Sequence, residues 1–128
     1  MKQNPAVWFE IYVNDMERAK KFYEEVFQVT LQKMETPEGM ELEMLSFPMS
    51  EDMNAPGAAG ALVKMEGMDV KGNGTIVYLS SEDCAVEAGR VEAAGGKVMK
   101  PKFSIGQYGF IALAVDTEGN TFGIHSVK

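Results

Sequence analysis

His125 is the only histidine in the chain, and its imidazole is the side chain best suited to exchange protons near neutral pH. Glu10 lies between Trp8 and Tyr12 in the run Val7-Trp8-Phe9-Glu10-Ile11-Tyr12-Val13. On a strand, alternate residues share a face, so this spacing sets one carboxylate between two aromatic rings. Flat rings beside a few polar groups suit a small organic ligand. Other roles fit the same residues. Trp8 and Tyr12 can fill a cleft or a subunit contact, Glu10 can be a solvated carboxylate at its mouth, and a lone histidine can be structural. Glu10 and His125 together fall short of the roughly three protein ligands a catalytic metal needs. Cys84, the only cysteine, opens the expected second helix and fits an inert, half-buried thiol.

Two strand–helix units position these residues. Phe9, Ile11 and Val13 alternate with Trp8, Glu10 and Tyr12, then Asn14 and Glu17 form a capping-box pattern. Met16, Ala19, Phe22, Tyr23, Val26 and Phe27 make an apolar stripe, so a helix is expected over about residues 15–27. Strands are expected over 29–36, 40–47 and 59–65, with a tight turn at Pro37-Glu38-Gly39. The stretch 48–60 reads as a long loop, and Gly67 to Gly74 as a linker. A strand over 75–79 follows, then a helix over about 82–94 capped at Ser80 with Asp83 and ended by Gly95-Gly96. Strands over 97–103, 110–115 and 121–127 complete the chain. The order β-α-β-β-β appears twice, which marks a duplication.

The 128 residues suit one compact domain, here residues 1–128, with modules at about 5–66 and 74–128. One cysteine excludes an intrachain disulfide. No apolar run approaches the ~20 residues of a membrane span, and Met1 to Pro5 carries no signal-peptide pattern, so a cytoplasmic protein without membrane contacts is expected. The net charge of −7 argues against nucleic acid and first of all serves solubility; attraction of a cationic ligand is the sharper alternative.

The opening Phe9-Glu10-Ile11-Tyr12-Val13-Asn14-Asp15-Met16-Glu17-Arg18-Ala19-Lys20-Lys21-Phe22-Tyr23, the middle Val91-Glu92-Ala93-Ala94-Gly95-Gly96-Lys97-Val98 and the closing Asp116-Thr117-Glu118-Gly119-Asn120-Thr121-Phe122-Gly123-Ile124-His125-Ser126 resemble the vicinal oxygen chelate superfamily. Glyoxalase I, extradiol dioxygenases and bleomycin-resistance proteins belong to it. The resemblance implies an α+β fold of two β-α-β-β-β modules. They form a cup-shaped, partly open eight-stranded barrel with helices on the outside, usually in a homodimer that builds its sites between modules. Metal-dependent members place ligands on the first and last strands of each module. Those positions hold Trp8, about Thr75, the stretch Ala61-Leu62-Val63 and about Gly123, none a good ligand for a divalent metal.

Parity completes the expectation. Phe9, Ile11 and Val13 pack under the first helix, which turns Trp8, Glu10 and Tyr12 to the cup. Phe122 and Ile124 pack under the second, which turns Thr121, Gly123 and His125 to the cup. Ile111, Leu113 and Val115 are expected to pack inward, leaving Phe110, Ala112 and Ala114 on the concave side. Tyr108, between glycines, tips a rim hairpin. The expected ligand-binding set is therefore Trp8, Glu10, Tyr12, Tyr108, Phe110 and His125, with no metal and no cofactor. The expected partners are a small organic ligand and a second copy of the chain. Two other readings stay open: a metal-dependent lyase or dioxygenase using Glu10 and His125 as unorthodox ligands, and an interaction module whose cup is filled by its own side chains.

Overall fold

The structure, a computed structural model, describes residues 6, 8–36, 41–52, 54–67, 70–71 and 75–128. The first half contains β1 (Trp8–Tyr12), α1 (Met16–Phe27), β2 (Gln32–Lys33), β3 (Leu42–Ser46) and β4 (Ala59–Met65). The second contains β5 (Val77–Ser80), α2 (Cys84–Ala88), β6 (Lys97–Ser104), β7 (Phe110–Val115) and β8 (Thr121–Ser126). Each half forms a four-stranded sheet of the same topology, β1-β4-β3-β2 and β5-β8-β7-β6. In each, the first and last strands run parallel and the other pairs antiparallel. The fold is α+β, and its sheets form a partly open cup rather than a closed barrel. Among the described residues, no helix is long and apolar enough to cross a membrane.

Local chemistry sets the element ends. Asp15 caps α1, accepting the Arg18 N–H at 3.1 Å, so the cap falls one residue beyond Asn14. Asn14 instead accepts the Val70 N–H at 2.9 Å. The strand expected over 29–36 shrinks to two residues because the Glu24 side chain takes the Leu31 N–H at 2.8 Å. Asp83, not Ser80, caps α2 through the Ala85 N–H. That helix closes at Ala88 rather than near 94. From Gly89 the chain tightens into turns, with Arg90 N–H bonded to Glu87 and Val91 N–H to Ala88. The expected turn at Pro37-Glu38-Gly39 and the Gly72-Asn73-Gly74 linker lie outside the described residues.

Both halves contribute to one apolar core, which holds Ile11, Phe22 and Leu62 from the first and Val91, Ala112 and Phe122 from the second. Helix α1 touches both sheets. Its Tyr23 ring lies 5.6 Å from Phe122 on β8 and 5.6 Å from Phe47 at the end of β3. Its Phe22 stands edge-on to Phe122 and fills the space beside Gly96, where an added Cβ would lie 2.6 Å from the ring.

Polar contacts between the halves surround the β7–β8 turn. The Glu118 side chain is inaccessible to solvent. Its Oε1 accepts the backbone N–H groups of Asn14 at 3.0 Å and Asp15 at 2.8 Å, and Arg18 binds both carboxylate oxygens. The neighbouring Asp116 accepts the buried Tyr23 hydroxyl at 2.7 Å, and Asn120 donates to the Tyr12 carbonyl at 2.9 Å. Burial pushes the Glu118 pKa up, but bonds from Arg18, Asp15, Thr117 and Asn14 outweigh it and hold the carboxyl below its usual range. A depressed folded pKa stabilises the fold above the unfolded value of about 4.3 and loses that contribution as pH falls through the folded pKa. Acid titration of the unfolding free energy should therefore fall less steeply in Glu118→Gln than in the parent. Glu118→Ala should cost about 2–3 kcal/mol at pH 7 in urea denaturation, because it strands donors at the start of α1.

Candidate functional site

Cross-strand register decides which residues leave the core. Ile11 pairs with Leu62, both in the core, so Glu10 and its partner Ala61 face the other way. The outer face of the first sheet thus carries Trp8, Glu10 and Tyr12 on β1, Ala61 and Val63 on β4, and Met44 on β3. The expected row of three is present. Glu10 is fixed within it: Trp8 Nε1 donates to Oε2 at 3.1 Å and Tyr12 Oη to Oε1 at 2.8 Å. Trp8 keeps 37% of its surface exposed. The bond to Glu10, then burial, then the Glu10 charge raise the Tyr12 phenol above its usual pKa.

On the second sheet, His125 pairs with Ile111 and Gly123 with Leu113. His125 therefore faces outward as expected, but it shares that face with Ile111 and Leu113. The parity expected for β7 is reversed. Ala112 pairs with Ile124 and Ala114 with Phe122, and all four lie in the core. Phe110, expected on the concave side, pairs with Ser126 and packs against the core with the Lys102 ammonium 4.7 Å from its ring. The cause is helix approach: α2 presents Cys84 and Ala88 to the sheet, and small residues on β7 let it come close. Phe110 therefore leaves the candidate site.

His125 and Tyr108 do come together, through the backbone. His125 Nε2 lies 2.7 Å from the Tyr108 carbonyl oxygen. A carbonyl only accepts, so Nε2 carries a proton and donates it. The bond anchors the 3₁₀ turn Gly106–Tyr108 and leaves the tyrosine ring 69% exposed. Glu10 and His125 share no hydrogen bond among the described residues, since each is engaged elsewhere.

Sequence reasoning missed Tyr78. It is 48% exposed and its ring lies over Gly123, where an added Cβ would sit 2.2 Å from it. The small residue expected to open the cup is thus covered by an aromatic ring. The alternation of Val77 and Leu79 with Tyr78 and Ser80 carried the signal. Met99, beside Thr121, belongs to the same outer surface. An apolar cavity of about 250 Å³ opens on the core side of β1, between Phe9, Phe27, Phe47 and Leu79.

The donor set does not fit a catalytic metal. Trp8, Thr75, Gly123 and the aliphatic run of β4 occupy the places where the superfamily resemblance implies ligands. Among the described residues no three His, Cys, Asp or Glu side chains converge.

The model of the Glyoxalase/Bleomycin resistance protein/Dioxygenase superfamily matches residues 6–124, and the chain belongs to that superfamily. Glyoxalase I from Zea mays superposes with a TM-score of 0.71 at 22% identity, over 94% of this chain and 43% of its own. This chain thus spans less than half the length of the maize protein. TnmS3, an antibiotic binding protein from a Streptomyces species, gives a TM-score of 0.64 at 24% identity, over 94% of each chain. A glyoxalase-related enzyme from Fulvimarina pelagi gives 0.66 at 17%, over 94% of this chain and 86% of its own. At these identities the likeness is one of fold. A search of curated proteins finds no match.

The Glu10 triplet yields a spectroscopic test. In Glu10→Gln the Tyr12 phenol loses its charged acceptor, so tyrosinate titration should show one group returning toward pH 10. Tyr12→Phe should remove one raised group from the titration. An unchanged titration curve in both variants would show that the hydrogen bond does not persist in solution.

Proposed function

We propose that this protein binds a small organic molecule on the outer face of its first sheet, in a site that a second copy of the chain completes. One observation carries the reading: each sheet buries one face in the shared core, and its other face keeps an aromatic ring partly exposed, Trp8 on the first and Tyr78 on the second, where Lys97 and Lys100 share the surface. Trp8 and Tyr12 offer flat contact on the first sheet, and Tyr78 and Met99 on the second. Soluble monomers rarely expose two such faces. The length relation to the maize protein supports the second copy, since one maize chain is long enough to hold this fold twice over. The antibiotic-binding description of TnmS3 is consistent with a ligand-binding role.

The residues present favour binding without a catalytic metal. Lewis-acid chemistry by the superfamily arrangement needs ligands at Trp8, about Thr75, about Gly123 and on β4, and none of those side chains is a good ligand for a divalent ion. Superfamily membership alone does not supply an activity.

Trp8 is the only tryptophan, so its fluorescence reports on the site. A screen of drug-like aromatic compounds should quench it with saturation, and the same compounds should raise the melting temperature. Stoichiometric zinc, nickel, manganese or iron in the purified protein would contradict the metal-free reading. Sedimentation should give a dimer, and Tyr78→Glu on the second sheet's outer face should shift it to monomer. A parent protein that sediments as a monomer would remove the second copy from the site.

A further inference from the structure

We propose that the ligand is an amphiphilic organic cation, a protonated amine or guanidinium on a flat apolar body, with Glu10 as its counter-ion. The proposal rests on the reading that the outer face of the first sheet is the ligand site. Its basis is the charge census of that face. Among the described residues of the four strands, Glu10 is the one charged side chain turned outward. Its neighbours there include Ala61, Val63, Met44 and Ser46. The charged side chains Glu43, Lys64 and Lys33 pair in register with one another or with the core residue Leu45, on the opposite face.

Among the described residues of its own chain, the Glu10 charge has no cationic partner. Its two hydrogen bonds come from an indole N–H and a phenol O–H, both neutral. The ion pairs among the described residues are Arg18 with Glu118, Lys20 with Glu24, Lys64 with Glu66 and Lys102 with Asp83, and none reaches Glu10. A carboxylate has about four acceptor positions, and the two donors occupy one on each oxygen. One position on each oxygen stays free for a ligand's N–H groups, while Trp8 and Tyr12 flank the approach. Ala61, the register partner of Glu10, adds no bulk beside it. Glu10 is exposed on this face, so a ligand can reach it, and the net charge of −7 steers cations toward it. An anionic ligand meets repulsion from both. A neutral ligand makes no ion pair with the carboxylate.

Three probes with one ring system test this: 2-naphthylmethylamine, 2-naphthylmethanol and 2-naphthoate. The readout is the NMR shift of the single indole N–H, which donates to Glu10. The amine should bind about tenfold more tightly than the alcohol, and added salt should shrink that ratio. The naphthoate should bind weakest. Glu10→Gln keeps the size of the side chain and should abolish the preference, leaving amine and alcohol alike. Circular dichroism of the variant establishes that it is folded, and the salt dependence of the parent gives the same answer without a mutation. Equal binding of amine and alcohol to the parent would overturn the cation proposal while keeping the site. If no probe moves the indole resonance, the site reading itself fails. Conversion of a dimer to monomer by Glu10→Gln would assign the carboxylate to a subunit contact and overturn the proposal.

Discussion

The carboxylate of Glu118 fixes the relation between the two halves of the molecule. It sits on the β7–β8 turn of the second half and satisfies backbone donors at the start of α1 in the first. Helix starts leave such donors without intrahelical partners, so a buried carboxylate there meets both a hydrogen-bonding need and the helix dipole. Arg18 neutralises it from the exposed side. Asn120 and Asp116 extend the contact to Tyr12 and Tyr23. With α1 held in this way, its aromatic residues reach the second sheet, and the two helix-side faces share one core.

That shared core dictates the outer surfaces. Strand side chains alternate, so each residue given to the core sends its neighbours outward. On β1 the outward residues are Trp8, Glu10 and Tyr12, and the spacing lets both rings donate a hydrogen bond to the same carboxylate. On β8 they include Gly123 and His125. Tyr78 closes over the glycine, and the imidazole is tied to the Tyr108 carbonyl. The outer face of the first sheet therefore carries aromatic rings and one fixed carboxylate, and that of the second carries Tyr78, His125, Lys97 and Lys100.

Much of this was legible in the sequence. The bounds of β4 and β7, the apolar stripe of α1, and the outward row of β1 follow from period and spacing. The parity of β7 was not legible. Ile111, Leu113 and Val115 are larger and more apolar than Ala112 and Ala114, so hydrophobicity assigns them to the core. The close approach of α2 reverses that choice, and neither residue type nor period carries the distance between a helix and a sheet. The cap of α1 was misread for a related reason: Asn14 and Asp15 are equally good caps, and the Val70 backbone engages the first of them. The contraction of β2 depends on Glu24 reaching Leu31, a contact that side-chain patterning does not encode.

The most direct measurement is a crystal structure of the full chain. It should show the first sheet of one copy facing the second sheet of another, with Trp8 and Tyr12 on the wall of an enclosed space and Glu10 free of any protein cation. A structure in which those two faces meet solvent separately, or press together with no space between them, would contradict the account.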